Sequence, residues 1–327
     1  MQRVIDPTTG RLLREVPYAD AAQVEAALAA SHACFQDWRR ASFAERGDVL
    51  RAVAQRMRDD VERLAPLMTE EMGKPIREAR GEVEKAAWAA EHYAEHAEAY
   101  LEPQTLPSDA THSYVQHLPI GTVLGVLPWN APFWLAFRFA APALMAGNTC
   151  LMKHDAHVPS SAAAIGALFE QAGAPAGLFQ DLPMDHAAVA GVIRDDRVRA
   201  VSFTGSDRGG AAVAALAAAQ IKPAVLELGG SDPCIVLADA DLEAAADVIT
   251  LSRIINAGQS CIAAKRIIVE DAVYDELAGL LESRLAALTV GDPREEATDV
   301  GPIAREDLRD NLHRQVQETI AAGAHCR

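Results

Sequence analysis

The alternation of apolar and polar positions divides the chain into a helical stretch, a β-rich passage and a strand-and-helix alternation. Residues 20–101 read as helices: Asp20 is placed to cap the first, and "SFAE" (Ser42 to Glu45) is a capping box for the second. "MGKP" (Met72 to Pro75) supplies a glycine stop and a proline restart. Residues 112–127, "HSYVQHLPIGTVLGVL", read as two β-stretches joined at "PIG", a hairpin-like ribbon. Short β-runs at 150–153, 178–182, 200–205 and 224–230 then alternate with Ala-rich helical segments at 132–146, 159–172 and 207–219. That spacing predicts right-handed βαβ units on a parallel, doubly wound sheet of the Rossmann type. A second α/β series starts after 228 with "CIVLA", a helix from about Asp241, "KRIIVED", a helix from 271 and a last helix ending near Gly323. The expected domains are therefore 1–228 and 229–327.

Composition narrows the function classes. With 327 residues and half of them hydrophobic, the chain can bury a sizeable core. A net charge of −16 repels phosphate backbones and anionic lipid, which argues against nucleic acid or a membrane surface as partner. The uncharged stretch 120–137 is long enough to resemble a membrane span, but its central prolines and asparagine favour a buried strand, turn and helix start. "MQRVIDPTTG" has no apolar signal region, so a cytoplasmic location is expected. The five cysteines are far apart and include no C-x-x-C pair, so reduced thiols are expected and no zinc site.

Several residues carry chemistry, each with a plainer alternative. No G-x-G-x-x-G or G-x-x-x-x-G-K-[ST] occurs, but "FTGSDRGG" places Gly205 and Ser206 between a strand and a helix, where backbone N–H groups and the helix dipole favour phosphate; the same residues also serve turn geometry. Glu227 lies in the apolar run "AVLELGG", where a desolvated carboxylate is tuned towards general-base work, or is ion-paired. Asn130 follows Pro128 and Trp129 in a turn before a helix, as an oxyanion donor or as an N-cap ahead of Pro132. His92 and His96 are four apart on a helix and read as a solvated face; His154 and His157 read as loop residues. Cys261, in "NAGQSCIAAKR", has Gly, Gln and Ser neighbours that suit an exposed nucleophile, whereas free cysteine is more often a small buried hydrophobe.

Taken in order, "DPTTGRLLREVP", "PWNAPFW", "AGNTCLMK", "FTGS", "LELGGSDP" and "NAGQSCIAAKR" resemble the aldehyde dehydrogenase superfamily over essentially the whole chain, with Cys261 34 positions after Glu227. The resemblance implies a Rossmann-type cofactor domain to about 228, followed by the start of an α/β catalytic domain, with the 112–127 ribbon as an oligomerisation element and hence a homo-oligomer. It implies Cys261 as nucleophile towards a small aldehyde, Asn130 with the Cys261 backbone N–H as oxyanion donors, and Glu227 as the base for hydrolysis. On the cofactor side it implies Trp129, Lys153, Gly205 and Ser206. The position three after Lys153, a ribose-binding glutamate in many members, is Ala156 here, which leaves room for NADP as well as NAD.

"LMKHDAHV" with "LGGSDP" looks most like the bacterial succinate-semialdehyde dehydrogenases. In those enzymes an arginine matching Arg138 reads the distal carboxylate, and Ser260, beside Cys261, is a further substrate contact; an Arg138 paired to a surface acid is the alternative. A second arginine of the mammalian-type enzymes is Ile255 here. The family pattern also continues past residue 327 into an E-x-F-G-P motif and a closing strand, so an incomplete catalytic domain is expected. A non-catalytic cofactor-binding or subunit-docking module is the alternative function, and thiol-based acyl transfer without redox chemistry a third.

Overall fold

The computed structural model describes residues 1–326. In chain order they form β1 (Gln2–Ile5), β2 (Leu12–Val16), α1 (Ala21–Trp38), α2 (Phe43–Asp59), α3 (Val61–Met72), α4 (Ile76–Tyr100), β3 (Gln104–Thr105) and β4 (Tyr114–Val115). There follow β5 (Thr122–Val126), α5 (Pro132–Met145), β6 (Thr149–Lys153), α6 (Pro159–Gln171), β7 (Phe179–Asp181), α7 (His186–Arg194), β8 (Val198–Thr204), α8 (Asp207–Ala219) and β9 (Ala224–Glu227). The rest comprises β10 (Asp232–Val236), α9 (Leu242–Ile254), β11 (Ala264–Val269), α10 (Tyr274–Ala286) and α11 (Glu306–Ala321). Two compact units result: Met1–Val4, Arg14–Ala65 and Arg80–Leu228 in the first, and Ile5–Leu13, Pro66–Ala79 and Gly229 onward in the second.

The first unit is built on a five-stranded parallel sheet of order β7-β6-β5-β8-β9. The chain steps outward from β5 to β6 and β7, then returns to lay β8 on the other side of β5. This is the doubly wound arrangement, and its switch point lies between β5 and β8. Buried on both faces, β5 is a nearly continuous apolar run rather than an alternating one. On one face Ala27 and Leu28 of α1, Val189 and Val192 of α7 and Val213 of α8 pack on Leu124, Leu151, Val201 and Phe203. On the other, Phe137, Phe169 and Phe179 stack with ring centroids 5.8 and 4.2 Å apart. Gly125 allows α5 to approach β5, since a Cβ there would lie 2.5 Å from the Phe139 ring.

Capping residues set the helix starts: Asp20 and Ser42 both form complete capping boxes, and Asp241 accepts from Ala244 N–H. The buried Arg46 guanidinium donates to the carbonyls of Trp38, Arg39 and Met145, and so satisfies the C-terminal ends of α1 and α5.

Residues 112–127 do not form the expected ribbon. Tyr114–Val115 pairs antiparallel with Gln104–Thr105, while Thr122–Val126 is the central parallel strand, flanked by β6 and β8. "PIG" is thus the entry to the sheet and not a hairpin turn. A short helix, α7, stands where the sequence pattern marked none; Asp185 caps it.

In the second unit β10 and β11 pair in parallel with an irregularity after Asp232, and α9 and α10 bury Ala246, Ile249 and Leu277 against Val236. No helix among the described residues is long and apolar enough to cross a membrane.

Candidate active site

Four strands of the first unit deliver the expected site residues at their C-terminal ends. In open α/β sheets ligands bind in the crevice there, at the switch point. After β5 the chain turns through Leu127, Pro128, Trp129, Asn130 and Ala131 into α5. Asn130 is not the N-cap of that helix: Ala131 holds the cap position without a side-chain bond, and the Glu82 carboxylate instead accepts from Phe133 and Trp134 N–H at 2.9 and 3.2 Å. The plainer reading of Asn130 is therefore set aside.

At the end of β6, Lys153 is half-buried, and desolvation pulls its pKa below the usual lysine value despite the opposing charge of Asp155. His154 lies in the loop after β6, as expected, but it does not face solvent. Its ring is buried, with Nδ1 3.1 Å from the Pro128 carbonyl and Nε2 3.1 Å from that of Pro132. Burial pushes the imidazole down to about 4, against the two carbonyl contacts. Asp155 is engaged by His157 through backbone N–H at 3.0 Å and ring Nδ1 at 2.6 Å; although burial opposes ionisation, these bonds hold the carboxyl down to about 2.

After β8, Ser206 caps α8, its Oγ accepting from Gly209 N–H at 3.2 Å. The Gly205 N–H is committed to the Glu227 carbonyl at 3.0 Å, so this amide is not a phosphate donor; a Cβ at Gly205 would lie 2.8 Å from Phe203, which gives the glycine a packing role. Ser206 stands at the positive end of α8, a 13-residue helix.

Glu227 ends β9, and the expected burial is absent: its side chain is 53% exposed. Its Oε2 lies 3.5 Å from Arg138 Nη1, while Arg138 Nη2 donates to Thr204 Oγ1 at 3.1 Å. The outward face of this last strand, not a dry interior, surrounds the carboxylate, and a cation partners it.

In the second unit Cys261 is partly buried in a loop between α9 and β11. The approach to it is conformationally unusual. Asn256 and Ala257 have φ of 56° and 54°, followed by Gly258 at 76°, three successive left-handed residues. Glu78 stabilises this turn by accepting from Asn256 N–H at 2.7 Å, and Gln259 ties it further, its Nε2 donating to the Asn256 carbonyl and its Oε1 accepting from Ala304 N–H. Lys265 Nζ donates to the Cys261 carbonyl at 2.8 Å. Ser260 is partly buried, and its carbonyl accepts from Ala263 N–H. The supports Glu78, Glu82, Gln259 and His154 had no site role in the sequence reading; only the adjacency of Gln259 to Cys261 marked any of them. The His92 and His96 rings lie 4.7 Å apart on α4, and no group of three potential metal-ligating side chains occurs among the described residues.

A sequence model of the aldehyde dehydrogenase family matches residues 1–327. A probable NADP(+) succinate-semialdehyde dehydrogenase of Synechocystis is 46% identical over 323 residues, covering 99% of this chain and 71% of the relative. A succinate semialdehyde dehydrogenase [NAD(P)+] of Escherichia coli is 43% identical, with 98% and 69% covered. The solved succinic semialdehyde dehydrogenase of Streptococcus pyogenes, in complex with NADP+, superposes with a TM-score of 0.95 at 34% identity, over 99% of this chain and 71% of that one. With the doubly wound sheet and its strand-end residues, these matches place the chain in the aldehyde dehydrogenase family.

Proposed function

We propose that the protein oxidises a short aldehyde carrying a distal carboxylate, succinate semialdehyde or a close analogue, to the acid with NAD or NADP. The observation that carries this reading is the arrival of Asn130, Lys153, Ser206 and Glu227 at the C-terminal ends of four adjacent parallel strands around the switch point. That crevice suits a dinucleotide: Ser206 and the α8 N-terminus would face its phosphates, Trp129 would line it, and Lys153 would meet the adenosine ribose. With Ala156 following and Asp155 held by His157, no carboxylate of this loop is disposed to exclude a 2′-phosphate, which favours acceptance of NADP. When bound, the nicotinamide supplies the hydride acceptor.

The chain's own residues then divide the work. The Cys261 thiolate adds to the aldehyde carbon, and the Asn130 amide and the Cys261 N–H bear the oxyanion. Loss of hydride leaves a thioester on Cys261. Glu227 takes the proton from the attacking water, and the carboxylic acid leaves with restoration of the thiol. Arg138 receives the substrate's distal carboxylate, and Ser260 lines the approach.

The test is formation of reduced cofactor from NAD or NADP with succinate semialdehyde, followed by absorbance. Turnover in the intact protein and its loss in Cys261→Ala are expected. A soluble, folded protein that binds either cofactor but yields no product would favour the docking or cofactor-binding alternative.

A further inference from the structure

The turn that carries Asn130 is short of backbone donors. Pro128 and Pro132 bracket it, and neither has an N–H, so neither end of the turn can donate a backbone hydrogen bond. The β5–β6 ladder reaches one step beyond the strands, Leu127 N–H donating to the Lys153 carbonyl at 2.9 Å, and stops there. His154 is the next residue. Its ring, 3% exposed, places one nitrogen against the carbonyl at each end of the segment Pro128 to Pro132. On the helix side, Glu82 holds the amides of Phe133 and Trp134.

We propose that His154 is a positioning residue: its ring hydrogen-bonds one end of the turn, packs as a spacer against the other, and thereby fixes the amide of Asn130 where the oxyanion develops. The physical need is plain. Oxyanion stabilisation depends on donors already aimed at the developing charge, and a displacement of about 1 Å costs on the order of 100-fold in rate. A neutral imidazole carries one N–H, so it donates to only one of the two carbonyls at a time, and towards the other the unprotonated nitrogen offers no hydrogen bond; the buried ring is a donor at one end of the turn and only a spacer of fixed length at the other. The proposal rests on the reading of Asn130 as oxyanion donor.

The test compares the wild type with His154→Phe, which keeps ring volume without donors, His154→Gln, which restores an N–H donor, Asn130→Ala, and the double variant His154→Phe/Asn130→Ala. Single-turnover formation of reduced cofactor is the first readout. His154→Phe is expected to slow it about 10- to 100-fold with KM for the aldehyde changed less than about threefold, His154→Gln to recover part of the loss, and the double variant to be no slower than Asn130→Ala alone. A second readout needs no turnover. The side-chain amide pair of Asn130 in a 15N-labelled sample, assigned by its absence from Asn130→Ala, is expected to shift or broaden in His154→Phe. Additive losses in the double variant, or an unchanged Asn130 amide signal in His154→Phe, would overturn the clamp. If Asn130→Ala itself reacts at the wild-type rate, the oxyanion reading fails and the clamp loses its purpose; if Asn130→Ala is slow and His154→Phe is not, the clamp alone fails.

Discussion

Arg138 has one guanidinium and two claims on it. It lies 3.5 Å from the Glu227 carboxylate and bonds Thr204, yet in the proposed reaction it must also hold the substrate's distal carboxylate. A pair this long and this exposed contributes about 0–1 kcal/mol, whereas a bidentate carboxylate offers two charge-assisted bonds. The substrate would therefore displace Glu227 and leave it available for water. Arg138→Gln is expected to raise KM for succinate semialdehyde about 10- to 100-fold while moving KM for butanal, which has no distal carboxylate, less than about threefold. Equal rises for both aldehydes would remove Arg138 from substrate selection. At this scale the sequence disclosed residue types with local signatures: Asn130 between two prolines, and Cys261 among small polar neighbours. It could not disclose His154, whose burial depends on β5 being drawn beside β6 by pairings between residues some 27 positions apart.

The loop after β6 and the end of β7 hold two titrating groups whose effects oppose each other. His154 and Asp181 line a cavity of about 100 Å³ together with Gln2 and Pro159. Burial pushes Asp181 up to about 7 from its ordinary 3.8, and His154 down to about 4 from 6.5. Between these limits the folded protein keeps a proton on Asp181 that the unfolded chain gives up, so this group's stabilisation, full below 3.8, is lost as pH rises through 7. Over the same window the folded protein lacks a proton on His154 that the unfolded chain binds, so that contribution, full above 6.5, is lost as pH falls towards 4. The two slopes largely cancel in the wild type. Asp181→Asn is expected to unmask the histidine, with Tm falling between pH 7 and pH 4.5 by the equivalent of about 2 kcal/mol, while His154→Phe reverses the sense. Thermal melts followed by circular dichroism across that range check this, and an Asp181→Asn curve parallel to the wild type would refute it. Helix starts were legible because their caps are local, as at Asp20, Ser42 and Asp241. The supposed ribbon failed for the opposite reason: Gly121, with φ of 139°, has the look of a hairpin turn, but the partners of Thr122–Val126 lie at Thr149–Lys153 and Val198–Thr204, which no local pattern specifies.

For the molecule as a whole, charge and apolar exposure pull in different directions. The alternation of strands and helices was enough to infer a doubly wound sheet, because βαβ units leave few other topologies. It could not tell which stretches of the N-terminal layer belong with which unit: 5–13 and 66–79 group with the chain from Gly229 onward, through contacts such as Asp6 with Arg294 at 2.6 Å and Arg77 with Asp299 at 2.8 Å. That second unit presents a two-stranded parallel pair with Ile235 66% and Ile268 49% exposed, beside Leu237 and Ile267. Apolar residues on so small a sheet, with both strand edges among the described residues unpaired, favour association. The net charge of −16 opposes it, with a reach set by the Debye length, about 30 Å at 0.01 M salt and about 3 Å at 1 M. Self-association is therefore expected to strengthen as salt rises, the reverse of an assembly held by ion pairs. Sedimentation velocity at 0.01 M and 0.5 M sodium chloride should show a larger species at the higher salt, and Ile235→Asp with Ile268→Asp should shift the distribution back towards the monomer. A monomer at both salts would mean that these side chains do not drive assembly; a larger species unaffected by the two substitutions would assign assembly to another surface.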